Sequence, residues 1–486
     1  MLKPIAAAAW DVRKAAHLLN RAGFGGKPVE VARFTELGAS AAVEELVDFQ
    51  RIPDPTADPE WAKPDPERIQ RLADLRKAPE PERRELQRQE QRLQRERLLE
   101  LRLWWLNRMA FGPRPLQEKL TLFWHGHFAT SFEKVRDAYY MWRQNELFRR
   151  IAVGNWRDIL VEVGTDPAML IWLDQGQSRK EKPNENFARE VMELFALGEG
   201  HYTEKDVAEA ARAFTGWTLD RAAQRFVTRP RWHDEGEKVI LGKTGNFTGE
   251  DVIEIIVNRP EAATFITGRL WQFFTGEFPA PALNAALAAE FRRCDKMVGA
   301  FLRTMFLCEE FYAQAVIGNQ VKSPVQWLVG SVRLLERQMP TPRFCLDLLR
   351  SLGQELFAPP NVKGWDGGTS WISTNTLMAR YTAVPVLVDG EAPPQPRREG
   401  NPDRPQRRQR PALKGGIDPM LLFSSAERAD KRVFLDALQQ RLLQGQLRGK
   451  AAEQLREYVE SAASLDPETI KGAIRLVLGT TDYQLS

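Results

Sequence analysis

The chain has 486 residues, 43% of them hydrophobic, three cysteines and a formal net charge of +4. That length allows two or three domains, or one large helical body with insertions. The charge is too small to demand nucleic acid or an anionic membrane as a partner. Cys294, Cys308 and Cys345 are far apart and form no CxxC, which argues against a disulfide scaffold, c-type haem and a cysteine zinc site.

In chain order, the spacing predicts three short helices between 11 and 49, punctuated by Gly23-Phe-Gly-Gly26 and Gly38. Residues 51–82 are rich in Pro, Asp and Glu and read as a loop; 83–102 reads as a solvated, salt-bridged helix. In the next helix, Leu116, Leu120 and Phe123 make an apolar stripe, and Glu118, Leu122 and His125 align on another face. His125 and His127 point about 200° apart on a continuous helix, so they share a metal only if the helix breaks at Gly126. Tyr139 to Arg150 is amphipathic. Asp166-Pro167 opens a capped helix, and Thr203 with Asp206 forms a capping box.

The helix after Pro183 carries an amide and two carboxylates, Asn186, Glu190 and Glu193, on one face, with Arg189 beside them. Its neighbours are rich in Trp, Phe, Leu and Met. A carboxylate pair in such surroundings must be met by Arg, by a metal or by a proton. Farther on, Arg225-Phe-Val-Thr228 and Lys238-Val-Ile-Leu241 read as the strands of a small hairpin around His233-Asp234, a second candidate ligand or acid–base pair. Gly242-Lys-Thr244 is not a phosphate loop, because the required Gly five positions earlier is Glu237. Helices follow to 337. Leu356 to Gly368 reads as a fixed loop around Trp365.

The expected fold is therefore mainly α: a large multi-helix body with one small β-hairpin insertion around 225–241. The expected organisation is a helical main domain at 11–385, with a charged, partly disordered insertion at 51–102. A Pro- and Arg-rich disordered linker at 386–416 follows. C-terminal helices at 417–486 pack back on the main domain. No stretch approaches membrane-spanning length. The apolar run Pro4 to Trp10 is thin for a signal segment. The expected location is cytoplasmic, with an atypical export route left open.

Several motifs are familiar as a set: Ala16-His-Leu-Leu-Asn-Arg-Ala-Gly-Phe-Gly25, Leu122-Phe-Trp-His-Gly-His-Phe128, Asn184-Glu-Asn-Phe-Ala-Arg-Glu190, Ala211-Arg-Ala-Phe-Thr-Gly-Trp217, Val321-Lys-Ser-Pro324, Pro360-Asn-Val-Lys-Gly-Trp365 and Thr481-Asp-Tyr-Gln-Leu485. They resemble the bacterial family called domain of unknown function 1800, from about residue 12 to the end. The resemblance implies a large, mostly helical bacterial protein without an established activity, and it supplies no catalytic residues. It also implies a partner from the family called domain of unknown function 1501, which resembles sulfatases and alkaline phosphatases.

Two functions compete. In an enzyme, Glu190, His125, Arg189 and Asn186 are the candidate catalytic residues. His125, His127, Glu190, Glu193, His233 and Asp234 are the candidate ligands of a divalent metal. The absence of any Glu-x-x-His counts against a di-iron bundle. In a non-catalytic partner or assembly factor, Asn186, Arg189, Glu190 and Arg212 form a salt-bridge network that fixes helix register. Nucleic-acid binding through the Arg-rich linker ranks last, because no aromatics accompany the arginines.

Overall fold

The structure, a computed structural model, describes residues 2–65, 67–391 and 414–486. The fold is mainly α with a small β insertion. Helix starts follow the side chains that can satisfy free backbone N–H groups. Asp166 caps Pro167–Trp172 through the Met169 amide, and Thr203 and Asp206 form the expected capping box on Glu204–Ala213.

The expected break at Gly38 is present: its non-helical backbone, with a positive φ of 77°, separates two helices across a kink within Pro28–Val47. Two local expectations are corrected. Residues 68–77, expected in a loop, form the helix Arg68–Lys77, and the charged run belongs to a 32-residue helix, Glu80–Phe111. The strands at 225–228 and 238–240 both exist, but they do not pair with each other. Strand β1 (Trp217–Asp220) pairs with β2 (Arg225–Thr228), and β3 (Lys238–Ile240) pairs with β4 (Lys243–Gly245), both antiparallel. Asp220 turns the first hairpin by accepting from the Ala222 and Ala223 amides at 2.9 and 3.0 Å. A short local turn costs less chain entropy than the longer closure between 228 and 238. Gly242 to Thr244 lies in the second hairpin and cradles no helix start.

The described residues divide into two compact units. The first comprises 2–10, Leu37–Val316 and Glu355–Asp366. Its core is aromatic. Trp105, Trp124, Trp156, Phe128 and Phe148 are all fully buried, with Trp124 stacked on Phe128 at 5.4 Å and on Trp156 at 5.9 Å between centroids. Such rings bury large areas and fix mutual orientation.

The second unit gathers Asp11–Glu36, Ile317–Gln354 and the described part of Gly367–Ser486. Helix Thr374–Asp389 packs on helix Pro467–Leu478. Trp327 and Tyr483 meet edge to face at 6.5 Å. Lys322 is buried there: its ammonium donates to the Tyr483 carbonyl at 2.8 Å, and burial, then the charge of Arg380, pushes its pKa down to about 7.

Residues 386–389, within the stretch expected as a linker, end the helix Thr374–Asp389, and Gly390–Glu391 pairs antiparallel with Lys414–Gly415. Residues 392–413 lie outside the described residues. Among the described residues, no helix is long and apolar enough to cross a membrane.

Candidate functional site

Two facing helices of the first unit build its most polar interior. Pro115–His127 supplies Glu118 and His125, and Ala138–Ile151 supplies Asn145 and Arg149. Glu118 is only 2% exposed. Its two oxygens accept four hydrogen bonds. Arg149 Nε and Nη2 donate at 2.8 and 3.1 Å. Arg108 Nε donates at 2.9 Å and Trp105 Nε1 at 2.9 Å. Burial alone would raise the Glu118 carboxyl, but Arg149 and then Arg108 outweigh it and hold it below the usual carboxylate range.

The network extends in two directions. Inward, Arg149 Nη2 donates to Asn145 Oδ1 at 2.7 Å, and the Asn145 amide lies 3.1 Å from His125 Nε2. Since the Asn145 oxygen is taken by arginine, its NH2 donates and His125 Nε2 accepts. Trp105, Phe148 and Phe357 wall the imidazole at centroid distances of 4.7, 4.8 and 5.1 Å. Burial, then the Arg149 charge, pushes His125 down to about 3. Outward, Arg149 also holds half-buried Glu146, and Arg108 holds Asp54.

Glu146 is the link to an open cleft of about 790 Å³. One wall is the outer face of the helix Ala138–Ile151, with Tyr139, Trp142, Arg143, Glu146 and Arg150; the spacing i, i+3, i+4, i+7, i+11 sets them in one stripe. The other wall is the β1–β2 hairpin, with Gln224, Arg225 and Phe226, and the base includes Asp166. Tyr139 and Trp142 lie nearly parallel, 25° apart at 5.7 Å. Asp166 accepts from Gln144 Nε2 at 2.8 Å and the Met169 amide at 3.0 Å, yet burial pushes its carboxyl up to about 7.

Most residues singled out in the sequence lie elsewhere. The helix Pro115–His127 does not break at Gly126, so His127 and His125 stay on different faces. His127 Nε2 donates to the Phe195 carbonyl at 2.9 Å among Phe123, Trp124 and Phe265 rings, and burial pushes it down to about 3. Asn186 is exposed; the cap of its helix is Asn184, which accepts from the Phe187 amide at 3.3 Å. Arg189 turns away from the carboxylate pair to hold exposed Glu204 at 2.7 and 2.6 Å. Glu193 takes the Tyr202 hydroxyl. Half-buried Glu190 is raised by burial and then by Glu193. Around the hairpin, Asp234 is held by Arg212 Nε at 2.8 Å, and His233 Nδ1 donates to the Thr215 carbonyl at 3.0 Å. The six candidate metal ligands thus fall into separate neighbourhoods. Among the described residues, no group of three or more His, Cys, Asp or Glu is placed to hold a metal ion.

The model of the family described as "Protein of unknown function (DUF1800)" matches residues 17–485. The chain belongs to that family. No curated protein and no solved structure matches it. Within this DUF1800 chain, three of the familiar motifs meet in the first unit. A Cβ on Gly364 would stand 2.1 Å from the Gly126 carbonyl, so the loop carrying Trp365 lies directly against the His125-Gly-His127 helix. This close approach accounts for Gly364. Lys363 of the same loop reaches Glu199 at 3.9 Å, and its charge acts on Glu190. Sequence reasoning had aligned Glu118 with His125 but missed Arg108, Arg149 and Asn145 as their partners, and it missed the cleft. The signal available was the stripe Tyr139, Trp142, Arg143, Glu146, which is too aromatic for an ordinary solvated face.

Proposed function

We propose that this chain is a non-catalytic binding protein. The His/Glu/Asn/Arg cluster beneath the cleft fixes the register of the helix Ala138–Ile151, and the cleft takes the ligand. The observation that carries this reading is the saturation of Glu118, with four donors on two oxygens at 2.8–3.1 Å. A general acid or base works best with a pKa near the working pH. Glu118 is held low and His125 is pushed to about 3, so at neutral pH one stays charged and the other stays neutral. A metal ligand needs an open lone pair, and His125 Nε2 is engaged by Asn145. A buried, paired charge network instead supports a unique packing of helices.

Elemental analysis of protein purified without chelator, alongside Glu118→Gln and His125→Phe, tests the reading. Metal well below stoichiometric in all three proteins is the expected result. A stoichiometric metal that disappears in either variant overturns it.

A further inference from the structure

The second unit buries positive charge that no acid answers. Lys322 lies just before the helix Pro324–Leu334, and Arg380 comes from the helix Thr374–Asp389. Both are buried, Arg380 completely. Arg380 Nη2 donates to the Lys322 carbonyl at 2.9 Å, which brings the two residues together. Among the described residues, no carboxylate pairs with either cation. Asp389, on the helix of Arg380, is held by Arg475 at 2.5 Å. Asp482, on the turn with Tyr483, pairs with neither. The one charged residue of Pro324–Leu334, Arg333, is held by Glu30.

Both cations grip one stretch of chain, 481–486. Lys322 Nζ donates to the Tyr483 carbonyl at 2.8 Å and stands 3.8 Å from the centre of the Tyr483 ring. Arg380 Nη1 donates to Gln484 Oε1 at 3.1 Å. A third buried cation, Arg21 of the helix Val12–Arg21, donates to the Ser486 main-chain oxygen at 2.6 Å. The Lys322 amide donates to the Gln484 carbonyl and the Ser486 amide to the Gln320 carbonyl, both at 2.9 Å. The Tyr483 hydroxyl meets Ser331 at 2.7 Å, and burial raises it, so it brings no negative charge. The segment thus covers the Lys322 ammonium, and lifting it admits water. Burial beside a like charge favours the neutral amine. Burial, then Arg380, pushes Lys322 down to about 7, whereas Arg380 falls only to about 10 and keeps its charge near neutral pH.

We propose that the segment 481–486 is a proton-controlled latch: it holds tightly while Lys322 is neutral and opens more readily when Lys322 takes up a proton. The latch lies in the second unit and is independent of the binding reading above. Opening hydrates the amine and returns it to the ordinary lysine value of 10.5. Between about 7 and that value the open state binds a proton that the closed state lacks. Opening therefore becomes harder as pH rises, by up to about tenfold per pH unit. Below about 7 the amine is charged in both states, and the dependence ends.

Hydrogen exchange read by mass spectrometry on the full chain, corrected for intrinsic amide rates, tests it. Protection of the peptide covering 481–486 should stay level from about pH 6 to 7 and then rise up to about a hundredfold by about pH 9. Lys322→Met keeps most of the stem and removes the amine; its protection should show no such rise. Arg380→Gln keeps a hydrogen-bond donor and removes the neighbouring charge; it should move the onset of the rise to higher pH. Level protection in the wild type, or a rise that persists in Lys322→Met, would overturn the latch. If Lys322→Met does not fold, Arg380→Gln decides: an onset moved upward supports the latch, and an unmoved one overturns it.

Discussion

Two regions of the first unit carry the same kind of pair, an arginine forked onto a glutamate. Arg189 holds Glu204 at 2.7 and 2.6 Å, and Arg149 holds Glu118 at 2.8 and 3.1 Å. The distances barely separate them. Burial does: Glu204 is 77% exposed at its side chain and Glu118 is 2% exposed. Around Glu204, water competes for each donor and screens each charge. Around Glu118, water is excluded, so every lost partner leaves a charge with nothing to answer it. Residue type and spacing identify neither pair in a sequence, because 15 and 31 positions separate the partners. What a pair is worth depends on which elements close over it.

The largest expected effect breaks the buried side of that comparison. Glu118→Ala leaves Arg108 and Arg149 facing each other across a dry interior. It should destabilise the protein by about 3–5 kcal/mol, read as a lower midpoint in denaturant unfolding. A cost below about 1 kcal/mol would mean that Glu146 and Asp54 alone neutralise the two guanidiniums, and the network would lose its structural role.

That dependence on closure explains what was legible in advance. The mainly α class followed from periodicity, and caps such as Asp166 and the Thr203–Asp206 box followed from local chemistry. The alignment of Glu118 with His125 also followed from helical geometry. Their partners did not, because Arg149 lies 31 positions beyond Glu118 on another helix, and no local rule says which face of that helix turns inward. The helix with Asn186, Arg189, Glu190 and Glu193 drew attention because its neighbours are apolar. The structure turns Asn186 and the Arg189 pair outward and leaves Glu190 half-buried. The cleft was half legible. The stripe on Ala138–Ile151 is a helical repeat, but the opposite wall comes from a hairpin about 80 residues later, whose pairing was misassigned because the short turn at Asp220 outcompetes the longer loop.

An intermediate effect comes from Asp166, which is buried like Glu118 but has no arginine on its oxygens. The folded protein holds its proton up to about pH 7, whereas an aspartate carboxyl ordinarily titrates near 3.8. Between those values the folded state binds more protons than the unfolded state, so this group makes stability fall as pH rises, by up to about 1.4 kcal/mol per pH unit. His125 and His127 act in the opposite sense. Both are pushed down to about 3, so their contribution is present above about pH 6.5 and is lost as pH falls towards 3. Asp166→Asn isolates the carboxyl, because Asn caps the Met169 amide as well as Asp does. Relative to wild type, the variant should gain stability steadily from pH 4 to 7 in thermal melts. Parallel curves would mean that Asp166 is ionised in the folded protein and that its contacts compensate the charge.

The smallest effect belongs to the exposed pair and sharpens the comparison from its other side. Arg189→Gln keeps a hydrogen-bond donor and removes the charge. The geometry is bidentate and short, and Glu204 holds the Arg189 proton more firmly than usual. Even so, water is available to both groups once they part. The melting temperature at moderate salt should match wild type within error, and any difference should shrink as salt increases. A clear loss of stability that survives high salt would show that the Arg189–Glu204 pair anchors the helix Glu185–Glu190 on Glu204–Ala213, and that exposure alone does not separate the two arginine–glutamate pairs.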